Sequence, residues 1–473
     1  MNKNEASSKL LKGTMVYMLG NVLSKLLQFV MLPIVTAVLV TSEYGYYDLV
    51  LTTISLVMPI ITIQLIEAVF RFMFNSDEDG KKKIISTVSI FLILGISILA
   101  IIILIMYRVT DFVMYPLLVI AYYSTYIVFT FYQKVCRSVQ KNTVFAISGV
   151  LNTFILLSVE IICLLVFKLR VDGLLLAQVI ANVVCIFYLE KETKIAKSFS
   201  INNVNIETFK AMVKFSLPLV PNSISWWFVS SINKYVITIF LGVGINGVYS
   251  IANKFPQMLT FVTSVFQMSW QESAIMEYKS EERDRFYSNV FNGYMKFLLG
   301  GTIIVLPIIK IIFPIMISKS YYEGILYVPI LLLGVIFSAF SQFYGTAYIV
   351  FKKTGGAFST TIVAAIINVI CTICLISDYG LFAPAIGTMM AYLIQWIYRI
   401  YQMRSYFKIK LDKTVIIQYI MLIIVYLYLY YKVNVIFVQL FAAIVAFCIF
   451  ICTNREVIKD LLSKMLKKYY IRK

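Results

Sequence analysis

Apolar runs of about twenty residues or more follow one another from Gly13 to Cys452, separated by short polar connectors. A helix of that length crosses the hydrocarbon core of a bilayer. In hydrocarbon every backbone amide and carbonyl must be bonded internally, which leaves helices and closed barrels as the only spanning structures. The runs here are continuous and do not alternate in ten-residue segments, so barrel strands are excluded. Apolar residues fill 60% of the 473 positions and charged residues 14%, the charges bunched between the runs. The expected fold is an all-α, polytopic membrane protein with about fourteen transmembrane helices. Spans are expected at 13–40, 44–74, 84–107, 111–136, 143–167, 171–190, 211–241, 245–272, 288–318, 325–351, 355–377, 381–404, 414–431 and 435–452.

The net charge of +19 is that of many nucleic-acid binders, but its placement is not. Lys and Arg crowd alternate connectors: the N-terminal segment, 81–83, 134–141, 191–214, 279–285, 352–353, 399–413 and the C-terminal segment. The opposite connectors carry only Arg108, Lys168, Arg170, Lys319 and Lys432. Basic residues mark the cytoplasmic side of a membrane protein. A multi-pass protein of the bacterial cytoplasmic (inner) membrane is therefore expected, with both termini cytoplasmic and no nucleic-acid partner. The first run is too long for a cleavable signal core and should remain as a span. The connectors on the external side are too short to form a catalytic domain.

There is no histidine, and all seven cysteines lie within or at the ends of spans. Cys371-Thr-Ile-Cys374 has redox or zinc spacing, but inside a membrane helix it reads as small apolar packing residues. No metal site and no cofactor are expected.

A weak internal repeat is visible. Glu43-Tyr44-Gly45-Tyr46-Tyr47 opens the second span much as Ile245-Asn246-Gly247-Val248-Tyr249 opens the eighth, and Tyr123-Ser124 corresponds similarly to Phe337-Ser338. Parallel repeats of six helices are a transporter design that holds substrate between the halves. The expected division is an N-terminal six-helix lobe at 1–210, a second at 211–410, and two additional spans with a basic tail at 411–473.

The eighth span carries Asn246, Ser250, Asn253, Gln257, Thr260, Ser264, Gln267 and Gln271 at alternating steps of four and three, on one helical face. Lys254 and Glu272 lie beside this stripe. One or two such residues would glue helices together, whereas a stripe along a whole span points to a wet cavity. Shorter stripes occupy the first span (Tyr17, Asn21, Ser24, Gln28, with Lys25 adjacent), the second (Asp48, Thr52, Ser55, Thr62) and the seventh (Asn222, Trp226, Ser230, Asn233, Lys234). Spans 1, 2, 7 and 8 are equivalent positions of the repeat. The candidate substrate-cavity residues are thus Asn21, Lys25, Gln28, Asn222, Lys234, Asn253, Lys254 and Gln257. Lysines in a water-filled, low-dielectric cavity attract an anionic group such as a pyrophosphate. Lys296 is a further intramembrane lysine, and Lys310 reads as one that snorkels. Glu67 and Arg71, spaced i, i+4, read equally as a gate or as a structural pair. Glu160 reads as an ion-coupling carboxylate or a packing contact, and Glu272 joins the candidates for gating or ion coupling. The prolines in or near spans (Pro33, Pro59, Pro218, Pro221, Pro256, Pro307, Pro314, Pro384) read as hinges or static kinks.

The stretches LGNVLSKLLQFVMLPIVTAVLVTSEYGYYDL (19–49), EAVFRF (67–72), FSLPLVPNSISWWFVSSINKYVI (215–237) and LGVGINGVYSIANKFP (241–256) resemble bacterial polysaccharide flippases of the Wzx type. Those proteins belong to the multidrug/oligosaccharidyl-lipid/polysaccharide exporter superfamily. The resemblance spans essentially the whole chain. It implies two six-helix lobes of the MATE-like kind, and export of undecaprenyl-pyrophosphate-linked repeat units for capsule, O-antigen or exopolysaccharide. It also implies that Lys25, Lys234 and Lys254 line the central cavity. Relatives often place an acid before the basic residue where this chain has Asn233-Lys234, so an ion pair at that position is expected to be missing.

The function expected from the sequence is a non-enzymatic flippase for lipid-linked oligosaccharide, working by alternating access. Its partners would be the polyprenyl-pyrophosphate substrate, membrane lipids and other polysaccharide-assembly proteins. A multidrug or cation antiporter of the same superfamily is the alternative, and would want an acidic cavity. A membrane glycan polymerase or acyltransferase lacks its external loop and any histidine.

Overall fold

The computed structural model describes residues 27–455 except 75, 111 and 352. Asn21 and Lys25, with Tyr17 and Ser24, lie outside the described residues. No strand occurs among the described residues. The first span is represented by α1 (Leu27–Val38). The second, expected as one helix, is two: α2 (Thr41–Ile61) and α3 (Leu65–Met73). Pro59 weakens the end of α2, and Ile63 (φ 46°) and Gln64 (φ 55°) then take left-handed backbone, turning the chain between the two helices. The Leu65 amide rescues the ladder by donating to Thr62 O at 2.9 Å.

The remaining helices follow the expected order: α4 (Glu78–Val109), α5 (Pro116–Ser138), α6 (Asn142–Ile161), α7 (Val171–Thr193), α8 (Ile206–Ser216), α9 (Leu219–Leu241), α10 (Val243–Glu277), α11 (Arg283–Met316), α12 (Val328–Val350), α13 (Thr354–Tyr379), α14 (Phe382–Met403), α15 (Lys413–Lys432) and α16 (Ile436–Thr453). Among the described residues ten helices, α2 included, are long and apolar enough to cross a membrane. The long helices α5, α10 and α14 carry more polar residues, and with α1 they take the other four expected places. The expected seventh span divides at Leu217-Pro218 into α8 and α9.

Polar residues set the helix ends where the chain leaves the apolar runs. Asp77 accepts from Gly80 N at the start of α4, Asn205 from Thr208 N at α8, and Asp412 from Val415 N at α15. Gly242, at φ 95°, lets α9 stop and α10 start within one residue. Of the eight prolines, Pro59, Pro256, Pro307 and Pro314 fall in helix interiors, and Pro33 follows the turn at Met31 that interrupts α1. Pro218 directly precedes α9, and Pro221 and Pro384 occupy first turns, where a missing N–H is harmless.

The described chain packs as two compact units. One takes in everything up to Thr238 together with Gly242–Gly247; the other takes in Ile239–Leu241 and everything from Val248 on. That division follows packing, whereas the 210/211 boundary follows the sequence repeat. In the first unit α7 packs against both α5 and α6; in the second α14 packs in the same way against α12 and α13.

Apolar burial does not drive association between helices already in lipid, so close packing and interhelical hydrogen bonds must. The first unit is tied by hydrogen bonds such as Asn152 to Asn182 (3.1 Å) and Tyr123 to Val50 O (2.9 Å). The second is built on aromatic packing. Trp270 stacks on Phe343 at 4.0 Å between centroids, and its Nε1 donates to Phe343 O at 3.1 Å. The two additional helices, α15 and α16, pack on α11 through Tyr419, Tyr426 and Tyr430. The Tyr430 hydroxyl donates to Ile325 O at 2.8 Å.

Candidate functional site

Within the first unit, α2 and the turn that follows it are tied to α9. Gln64 donates to Ser223 Oγ (2.6 Å), Trp227 Nε1 donates to Thr52 O (3.0 Å), and Thr53 shares a hydrogen bond with the Tyr235 hydroxyl. Toward the start of α2, Lys234 Nζ lies 2.8 Å from Asp48 Oδ2 and donates to Thr52 Oγ1 at 3.0 Å. Asp48 is only 8% exposed and Lys234 21%, so the pair is largely desolvated. The expectation that Lys234 lacks an ion pair is therefore overturned. The acid comes from another helix, 186 residues earlier, not from the neighbouring position. With its charge balanced by Asp48, Lys234 is a weaker candidate for holding an anion than its sequence context suggests.

Glu67 and Arg71 do not pair with each other. Glu67 forms a 2.6 Å ion pair with Lys134 of α5, while Arg71 is exposed with no ion pair among the described residues. Lys134 approaches because α3 packs on α5, a contact that i, i+4 spacing within one helix cannot reveal.

Glu160 is buried at 6% exposure near the end of α6. The Tyr47 hydroxyl donates to its Oε1 at 3.5 Å and accepts from Gln178 Nε2 at 2.8 Å. The helix changes immediately afterwards to a π-helical turn, Ile162–Val166. Such insertions are frequent at functional positions in α-helices. Gln28 and Asn222 are exposed on α1 and α9.

In the second unit the polar stripe of α10 is not uniform. Ser250 is buried, as is Asn246 in the first turn of the helix, which packs with the first unit. Toward the other end, Gln267 Nε2 donates to Gln342 O and to Thr346 Oγ1 of α12. Only the middle of the stripe is open: Gln257 and Ser264 are exposed, and Asn253 and Thr260 are half-buried. Lys254 is half-buried here and forms no ion pair among the described residues; Glu272 is exposed and likewise unpaired. The stripe thus enters packing at Asn246 and Gln267 and presents exposed or half-buried polar side chains between them, where Thr260 and Ser264 bond only to carbonyls of their own helix. Lys296 is 3.7 Å from Asp412, and Lys310 stands 5.0 Å over the Tyr430 ring. No group of metal-binding side chains occurs among the described residues, and Cys371 and Cys374 are free thiols.

One charged residue of this unit was absent from the sequence-based candidates. Arg399 is buried (5% exposed) and donates to Thr360 Oγ1 (3.1 Å), Ser341 O (2.8 Å) and Thr361 Oγ1 (3.4 Å), tying α14 to α12 and α13. Its signal was the run Gln395, Arg399, Gln402 on one helical face, hidden by counting Arg399 with the basic connector that follows. Asp48 and Tyr47 were missed as site residues for another reason: their roles depend on partners in distant helices.

Solved structures that resemble this chain include transporters. A lipid II flippase MurJ in an inward closed conformation matches with a TM-score of 0.70 and 14% identity, over 94% of this chain and 100% of that one. An inward-facing multidrug resistance MATE family transporter of the MOP superfamily matches at 0.60 and 14% identity, over 81% and 95%. A mutant of the Vibrio cholerae MATE transporter VcmN matches at 0.55 and 16% identity, over 86% and 99%. At these identities the likeness establishes a MATE- and MurJ-like fold. No curated protein matches the chain. The model of the family described as Polysaccharide biosynthesis protein matches residues 10–270, more than half of the sequence, and the chain belongs to that family.

Proposed function

We propose that the protein flips a polyprenyl-pyrophosphate-linked oligosaccharide across the bacterial cytoplasmic membrane, by alternating access, to supply capsule, O-antigen or exopolysaccharide assembly. Membership of the polysaccharide biosynthesis family supports a glycan-pathway substrate, and the transporter fold supports movement rather than chemistry. The observation that carries the reading is Lys254: an ammonium on the open middle of a polar helix face, with no carboxylate pairing it among the described residues. A cation so placed favours an anionic head group over a cationic drug. Lys25 would join it from the first span, with Asn253 and Gln257 offering amides to sugar hydroxyls. The lipid tail would stay among membrane lipids, and assembly proteins would receive the product outside.

The alternative, a cation antiporter of the same superfamily, draws its support from the buried Glu160 beside Tyr47, a carboxylate suited to ion coupling. Transport in proteoliposomes separates the two. Wild type should translocate a polyprenyl-pyrophosphate oligosaccharide, and Lys254→Ala and Lys25→Ala should each slow it by about tenfold or more, the loss of one charge-assisted contact in a low-dielectric site. Expulsion of organic cations with no movement of the lipid would establish the antiporter instead.

A further inference from the structure

The connector between α7 and α8 is bound on one side and bare on the other. Lys194, at φ 56°, ends α7. A single helical turn, Ile195–Ser198, and a tighter one, Ile201–Asn203, then lead to α8. On the inner side Ile195 is buried. Ser86 Oγ of α4 accepts from Ser200 N at 3.0 Å and donates to Ser198 O at 3.4 Å, and Thr87 Oγ1 accepts from Asn205 N at 3.0 Å. The rings of Phe91 and Phe209 continue the contact at 5.1 Å between centroids. On the outer side Phe199, Ile201, Val204 and Ile206 are bare, Ile201 at 72% exposure and Ile206 at 69%. These hydrogen bonds all run to α4, so the depth of Ser86 and Thr87 sets the depth of the segment.

That depth is the edge of the hydrocarbon. The apolar run of α4 extends from Ile84 to Met106, about 34 Å of helix, close to the thickness of a bilayer core. Ser86 and Thr87 stand two and three residues inside it, about 3–5 Å from its edge. Four apolar side chains hung at that level meet acyl chains, as those of interfacial amphipathic segments do. The charge around them is one-sided. Residues 191–214 carry Lys191, Lys194, Lys197, Lys210 and Lys214 against Glu192 and Glu207. All five lysines are exposed, and none forms an ion pair among the described residues. By the alternation of basic connectors this end of α4 faces the cytoplasm, where the leaflet carries anionic lipid. We propose that residues 194–210 form an interfacial ledge that binds anionic phospholipid, with the lysines on the phosphates and Phe199, Ile201, Val204 and Ile206 among the acyl chains. The ledge lies within the first unit and does not depend on which substrate the protein carries.

Native mass spectrometry of the full chain, released from a non-ionic detergent with phosphatidylglycerol or phosphatidylcholine of matched acyl chains, tests the ledge. Wild type should hold phosphatidylglycerol about tenfold more tightly than phosphatidylcholine or better. Lys194→Gln with Lys197→Gln and Lys210→Gln should weaken phosphatidylglycerol binding by about a hundredfold, or about fivefold for each lysine. All three side chains are exposed, so the fold should survive their loss. A control triple on other basic connectors, Lys279→Gln with Lys353→Gln and Lys408→Gln, should change that binding by no more than about twofold, since charges far from the ledge are screened. Ile201→Asn with Ile206→Asn keeps every lysine and should still weaken binding by about tenfold, through lost acyl contact. Equal binding of the two lipids overturns the proposal, as do equal losses from the two lysine triples, which would mean attraction by net charge alone. A loss from the Lys194 triple with none from the isoleucine pair also overturns it, in favour of a water-facing patch for soluble phosphate.

Discussion

At the scale of single residues, the Asp48–Lys234 pair shows how a charge is tolerated in this membrane. An ammonium and a carboxylate 2.8 Å apart, with Thr52 accepting a further bond, leave little uncompensated charge. Removing one partner leaves the other stranded, whereas removing both does not. Asp48→Asn and Lys234→Met alone should therefore each lower stability by about 3 kcal/mol, and Asp48→Leu with Lys234→Met should recover most of it. Denaturant titration in detergent micelles measures the coupling; additive losses would show that the two groups do not act as a pair. Both residues were legible in the sequence as polar interruptions of apolar spans. Their partnership was not, because 186 residues separate them and no helical period connects different helices. Arg399 was obscured differently, by lying in the last turns of its span where basic residues normally belong to the connector.

At the scale of elements, helical periodicity located α2, α9 and α10 but was silent on where a helix breaks. Pro59 marked α2 as vulnerable, yet the turn falls at Thr62–Gln64, after the proline. Ile63 is β-branched and sits at φ 46°, a conformation that costs a branched residue about 1–2 kcal/mol. Ile63→Gly should consequently be neutral or stabilising by up to about 1 kcal/mol, whereas Ile61→Gly, in helical backbone, should cost about 1 kcal/mol. Thermal unfolding of the two variants side by side checks the sign; equal losses would mean that the left-handed turn is unstrained. The α10 stripe teaches the converse lesson. Its periodicity was fully visible, but a regular face says nothing about its neighbours. Tertiary packing consumes Asn246 and Gln267 and leaves Gln257 open.

At the scale of the whole molecule, the alternation of basic connectors predicts a topology that reporter fusions can check. A phosphatase joined after Glu323 should be active outside the membrane, while one joined after Lys279 should be silent and a fluorescent protein there bright. The reverse pattern would invert the orientation. The sequence by itself determined the class of fold, the places of the membrane helices and the family resemblance. These follow from hydrophobic length, helical period and charge placement, which are local properties of a chain in a bilayer. Only the tertiary structure decided that Lys234 is paired, that Glu67 faces Lys134, and that Arg399 is buried. Each is a contact between residues distant in the chain, set by which helices pack together and at what depth. Lipid, being as apolar as the helix surfaces, leaves that choice to close packing and to the few polar groups the helices bring into contact.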